Sequence, residues 1–233
     1  MKNKMPNATI SADIVSSTSL SVEELTLLQS EIRHFLDELS KNSQGSNWGR
    51  LFKGDSVEIY LLDPNEALRV ALLLKALVKK APVSLQSNKN VKRTLFRKYG
   101  IRLAIGIGEM RVADQKKDIL DGEAIYYSGR LLEGQSKTTK DRLSIKRSMF
   151  FGSKNAALNS QMEVIFALLD AILKEMTIRQ SEILYYKLLG FNEEEIASKL
   201  SIKQSAVNQQ SNSFSWSSIE SAVNYFEKLN FEQ

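Results

Sequence analysis

Near Asn155 the hydrophobic period of this 233-residue chain changes for good. Before that point short β-branched runs alternate with stretches of helical period; after it only helical period remains. A chain written this way has to put a strand-bearing unit first and an all-helical unit second.

The first unit opens on ATISADIV (8–15), a short strand. SSTSLSVEEL then offers Ser and Thr as helix N-caps, and VEELTLLQSEIRHFLDELSK sets Leu25, Leu28, Ile32, Phe35, Leu36 and Leu39 on one face. NWGRLFKGDSVEIYLL reads as two strands bent at Lys53–Gly54–Asp55, and Pro64 starts a strongly apolar helix, NEALRVALLLKALVKKA. KNVKRTLFRKYG reads as a basic linker into IRLAIGIGEM (101–110), a buried strand. DGEAIYYSGRLLEG (121–134) is a short helix, and RLSIKRSMFFGS (142–153) holds a further strand. The order predicts an α/β (α+β) sandwich with helices on a mostly antiparallel sheet.

In the second unit a long helix precedes TIRQSEILYYKLLG, NEEEIASKL and SIKQSAVNQQSNSF, with Gly190 as a helix stop, Asn192 as an N-cap and Ser201 as a tight turn. That spacing is that of a helix-turn-helix over 177–214, closed by WSSIESAVNYFEKL. The expected domains are 1–154 and 155–233.

Composition narrows the chemistry. The chain has no Cys and one His, His34, so disulfides, thiol catalysis, Cys-based zinc sites and a Ser–His–Asp triad are poor expectations. No apolar run approaches ~20 residues and the N-terminus shows no signal peptide, so a cytoplasmic protein with no membrane partner is expected. The net charge of +5 is unevenly placed: residues 1–161 carry +9 and residues 162–233 carry −4. The basic excess is densest at 89–98 and 136–147 and suits a polyanion.

Asp13 ends the first strand and Asp55 sits at the hairpin tip. Tips of neighbouring strands lie ~4.8 Å apart, so two carboxylates and the Ile14 carbonyl could share one hard cation. On spacing alone, Asp13 as a cap and Asp55 as an ordinary turn residue is the alternative.

Several segments resemble the class III nucleotidyl cyclases. ISADIVSST (10–18) is similar to their D-I-x-G-S/T-[ST] opening, FKGDS (52–56) to their G-D hairpin and PNEALRVALLLKAL (64–77) to the helix after it. GIRLAIGIGEM (100–110) resembles their R-x-G-I-x-x-G strand, and DGEAIYYSGRLLE (121–133) their G-x-x-[VI]-N-x-[AS]-x-R-L helix. The resemblance implies a ferredoxin-like cyclase-type sandwich, Mg²⁺ with a purine nucleotide, and a homodimer. It implies Asp13, Ile14 and Asp55 as metal ligands, and Arg130 as the arginine that stabilises the pentavalent phosphate. Lys53, Asp121, Tyr126 and Arg130 fall at nucleotide-binding positions, with Asp118 an alternative to Asp121 for the purine-reading acid. Two departures stand against turnover: Tyr126 replaces the catalytic asparagine, and Leu51 occupies the base-reading lysine position with Lys53 two residues later.

TIRQSEILYYKLLGFNEEEIASKLSIKQSAVNQQ and SWSSIESAVNYFEKL resemble the SatD family of regulators, which implies a sigma-region-4-like helix-turn-helix in a bacterial regulator. If it reads DNA, Lys203, Gln204, Ser205, Asn208, Gln209 and Asn212 form the exposed face of the reading helix. Four cations and four anions between Thr177 and Phe214 leave that region neutral, which predicts weak DNA affinity for one copy. An active cyclase and a non-catalytic association scaffold are the alternative functions. His34 and the two tryptophans read as solvated and packing residues.

Overall fold

The computed structural model describes residues 5–83, 91–134 and 145–231. Most of the basic stretch at 136–147, and residues 89 and 90 of the other, lie outside them. The first strand, β1 (Asn7–Ile14), is followed by α1 (Val22–Asn42), a hairpin of β2 (Trp48–Phe52) and β3 (Ser56–Leu61), and α2 (Ala67–Lys79). The expected basic linker is instead a helix, α3 (Val91–Tyr99), with Phe96 and Tyr99 buried. Its charges hid an amphipathic period. Then come β4 (Ile101–Gly108), a small hairpin of β5 (Met110–Asp114) and β6 (Ile119–Gly122) absent from the sequence reading, α4 (Glu123–Gly134) and β7 (Met149–Gly152).

The main sheet runs β2-β3-β1-β4-β7, antiparallel throughout except for β4 against β7. Its first four strands, with α1 and α2, have the βαββαβ order of a ferredoxin-like sandwich, as the α+β reading expected. Alternation along β1 divides the two faces. Ala8, Ile10, Ala12 and Ile14 join the core shared with α1 and α2, whereas Thr9 and Ser11 turn to α4, where both hydroxyls meet Ser128 Oγ at 3.0 and 2.8 Å. The helix approaches closely because β4 offers glycine: a Cβ on Gly106 would lie 2.1 Å from the Ala124 carbonyl oxygen. The strand glycines of the sequence are therefore a helix-docking surface.

Beyond Asn155, which caps α5 (Ala156–Glu175), follow α6 (Ile178–Leu188), α7 (Glu193–Leu200), α8 (Gln204–Ser213) and α9 (Trp216–Phe226). Capping boxes Thr177/Gln180 and Asn192/Glu195 start α6 and α7, and Ser201 leaves α7 in the left-handed region at φ 53°. One continuous set of buried side chains crosses position 155: Phe166 and Leu173 of α5, Leu184 of α6 and Phe226 of α9 pack with α2 and the sheet. Arg69 of α2 adds an ion pair to Glu227 at 2.6 Å and a hydrogen bond to the Leu188 carbonyl at 2.9 Å.

Two lysines are buried where these elements meet. Lys75 donates to the carbonyls of Tyr99 and Ile101 at 3.1 and 2.9 Å and to Ser148 Oγ at 2.6 Å, and Asp170 lies 3.9 Å away. Asp170 accepts the Ser148 backbone N–H at 2.8 Å and its hydroxyl. Lys79 donates to the carbonyls of Lys98 and Leu173, so the C-terminal turns of α2, α3 and α5 meet at one nitrogen. By length and composition α5 is apolar enough to cross a membrane, which the sequence reading did not anticipate. Its Met162, Phe166, Leu169 and Leu173 lie in the protein core.

Candidate functional site

Asp13, Ile14 and Asp55 come together at one end of the central strands. Register sets Asp13 opposite Ser56 on β3 and Arg102 on β4, and the Ile14 N–H donates to the Asp55 carbonyl at 2.9 Å. The tip bends because Lys53 (φ 52°) and Gly54 (φ 83°) both take left-handed backbone. Gln29 of α1 holds that turn through the Gly54 carbonyl at 2.7 Å.

Each carboxylate is already engaged. Arg102 grips Asp13 with two bonds, Nε to Oδ1 at 3.1 Å and Nη2 to Oδ2 at 2.5 Å. Both groups are largely withdrawn from water, with side-chain exposures of 16% for Arg102 and 27% for Asp13, so the pair is weakly screened. Asp55 accepts the Ser17 hydroxyl at 2.8 Å. Among the described residues no three acidic or imidazole groups gather in a cluster able to hold a metal. This donor set does not fit a hard dication: a guanidinium occupies both oxygens of one carboxylate and brings its own positive charge to the place where Mg²⁺ would sit. The sequence reading missed Arg102. No local signal marks it, because only the pairing of β4 with β1 sets Arg102 against Asp13.

The remaining nucleotide positions are dispersed. Lys53 lies over the ring of Phe52 at 5.8 Å, and Asp121 pairs with Arg111 at 2.8 Å across the β5–β6 hairpin. Asp118 pairs with Arg50 at 2.9 Å. On α4, the Arg130 guanidinium stacks 3.6 Å from the ring centroid of Tyr126, which is half exposed. Arg130 lines a cavity of about 490 Å³ between α4, β7 and α5, together with Tyr127, Arg147 and Phe150; neither Asp13 nor Asp55 lines it.

In the helical unit α7 and α8 are joined by Ser201, Ile202 and Lys203. Lys203, Ser205 and Gln209 are exposed. Gln204 donates to Glu193 at 2.6 Å and Asn208 to the same carboxylate at 3.3 Å, while Asn212 donates to Asn208 at 3.1 Å. Burial works against the charge of Glu193, but hydrogen bonds from Lys187, Asn208 and Gln204 prevail and hold its carboxyl below the usual range. Two of the six expected base-reading side chains are thus tied to an anion. His34 is exposed, and Trp48 is buried against Tyr60.

No family model matches the chain, and no curated protein does. Among solved structures it is similar to two described as bacterial light-regulated adenylyl cyclases, each at 18% identity over 63% of this chain. The TM-scores are 0.39 and 0.40, and the chain spans 43% of the first and 75% of the second. The fold assignment rests on the strand order described above.

Proposed function

We propose that this chain is a non-catalytic regulator of the bacterial type its sequence resembles: a degenerate cyclase-like sandwich that binds a nucleotide without cyclising it, joined to a DNA-reading helical unit. The observation that carries this reading is the Arg102–Asp13 pair, which neutralises the carboxylate a metal-assisted phosphoryl transfer needs. Tyr126 supports it from the other side. A phenol cannot replace the paired amide bonds of an asparagine, and here it serves as the stacking partner of Arg130. The 490 Å³ cavity has the size for a phosphorylated ligand, with Arg130 as its cation; Arg147, also on its wall, is paired with Glu163 at 2.8 Å. Support for DNA reading is the exposed Lys203, Ser205 and Gln209 on α8.

The test has two arms. Purified chain incubated with ATP or GTP and Mn²⁺ yields no cyclic nucleotide, yet a nucleotide at about 100 times its Kd stabilises the fold by ~2.7 kcal/mol. Arg130→Ala loses that stabilisation. Cyclic product that disappears in Asp13→Ala would sink the proposal, and no shift with any nucleotide would remove its ligand half. In a gel-shift series on duplex DNA from the chain's own promoter region, binding weakens steeply with salt and falls in Lys203→Ala.

A further inference from the structure

Where the ends of α2, α3 and α5 meet the start of α6 lies a second cavity, of about 260 Å³, sharing no residue with the one that holds Arg130. It falls below the ~300 Å³ at which drug-sized sites begin, so its occupant is small. Val83, Phe96, Met176 and Ile178 give it an apolar wall, and Lys79, Arg97 and Lys98 bring three cationic side chains. Among the described residues no carboxylate lines it, and Arg97 is exposed without an ion pair. Cations beside an apolar wall suit an anion carried on a short hydrocarbon chain. Lys79 is 8% exposed, and its nitrogen donates to the carbonyls of Lys98, at 3.1 Å, and Leu173. Those two bonds and Cε fill three of the four tetrahedral positions on Nζ. The fourth has no partner among the described residues, and on a neutral amine it is the lone pair.

We propose that this cavity takes a short aliphatic 2-oxo acid covalently, with Lys79 forming an imine at the keto carbon and Arg97 holding the carboxylate. Burial is the largest influence favouring the neutral amine; the charges of Lys75 on α2 and Lys98 on α3 act the same way, against Glu175 and Asp170 on α5. A lysine desolvated beside other cations is a nucleophile at neutral pH. The Nζ lone pair attacks the keto carbon, the C=O π electrons move to oxygen, and a proton from nitrogen follows them to give a carbinolamine. Its hydroxyl then leaves as water with the second nitrogen proton, and the C=N bond forms. Amine and ketone are exchanged for imine and water, with nothing oxidised or reduced. The planar guanidinium of Arg97 matches the carboxylate with two parallel bonds. An inorganic anion would satisfy the cations but leave the apolar wall and the free position on Nζ unused.

The test treats the full native chain at neutral pH with 3-methyl-2-oxobutanoate and sodium cyanoborohydride, which reduces the imine to a stable amine, and maps the labelled peptides by mass spectrometry. Exposed lysines, with pKa values of about 10.4, are almost wholly protonated under these conditions, so the label concentrates at Lys79. Arg97→Ala lowers labelling by the oxo acid about 10-fold, the loss of a charge-assisted contact to the carboxylate. The same variant leaves labelling by 2-methylpropanal unchanged, because that aldehyde carries the same branched chain without the carboxylate. Label spread over the exposed lysines without preference for Lys79 would overturn the inference. So would label on Lys98 in place of Lys79, or oxo-acid labelling indifferent to Arg97→Ala.

Discussion

Raising the pH from about 7 to 9 should stabilise this protein, because two of its lysines are buried. Burial pushes the Lys79 ammonium down to about 7, with the neighbouring Lys75 charge adding to the effect. Burial likewise lowers Lys75 to about 8, and Asp170 opposes it. Their partners agree with that ranking. Lys79 serves two carbonyls, which a neutral amine still satisfies with its two N–H donors. Lys75 serves three acceptors and needs all three protons of the ammonium. A lysine whose folded pKa lies below its unfolded value sheds a proton on folding, so the unfolded state binds more protons across that interval and stability rises with pH. Integrated from pH 7 to 9, the rise is about 2 kcal/mol from Lys79 and about 1 kcal/mol from Lys75. Burial raises the phenols of Tyr60, Tyr99 and Tyr185, so they act only above this window. Urea unfolding followed by circular dichroism at pH 7, 8 and 9 should show the midpoint climbing by about 1 M, and Lys79→Met should remove roughly two-thirds of the climb. A midpoint that is flat or falls from pH 7 to 9, or that climbs equally in Lys79→Met, refutes the reasoning.

Two further outcomes follow from named contacts. Gly106→Ala sets a methyl 2.1 Å from the Ala124 carbonyl and forces α4 off the sheet, costing about 1–3 kcal/mol or more in the urea midpoint, whereas Gly134→Ala, with open space around it, stays within about 0.5 kcal/mol. Glu193→Gln removes a negative charge and loosens the amides of Gln204 and Asn208, so duplex DNA binding strengthens several-fold in a low-salt shift assay; unchanged or weaker binding counts against α8 as the reading helix.

The order of strands and helices in the sandwich was legible because its signals are local: alternation in ATISADIV, the Lys53–Gly54–Asp55 bend and the uninterrupted apolar face of α2. What escaped was set by tertiary contact. α3 looked like a linker because five of the nine residues Val91–Tyr99 are polar or charged, and only Phe96 and Tyr99 turn fully inward. Lys75 and Asp170 are 95 residues apart in sequence, and nothing local marks them as a buried pair. The candidate site divides the same way. Motif spacing brought Asp13, Ile14 and Asp55 to one strand end, but only the β1–β4 register reveals that Arg102 closes it. The charge split also gains a meaning: the neutral region around α8 includes an acid, Glu193, bonded to two of its polar side chains.

That closure is the centre of the functional proposal, and Mn²⁺ reports on it without any need for turnover. Paramagnetic titration of free Mn²⁺ with the purified chain should leave the ion unbound in the wild type. Arg102→Ala frees both Asp13 oxygens and should bind one Mn²⁺ per chain, with the added Asp55→Ala substitution abolishing it. Stoichiometric Mn²⁺ binding by the wild-type chain, lost in Asp13→Ala, would show that the carboxylates are free to hold a metal and would contradict the account.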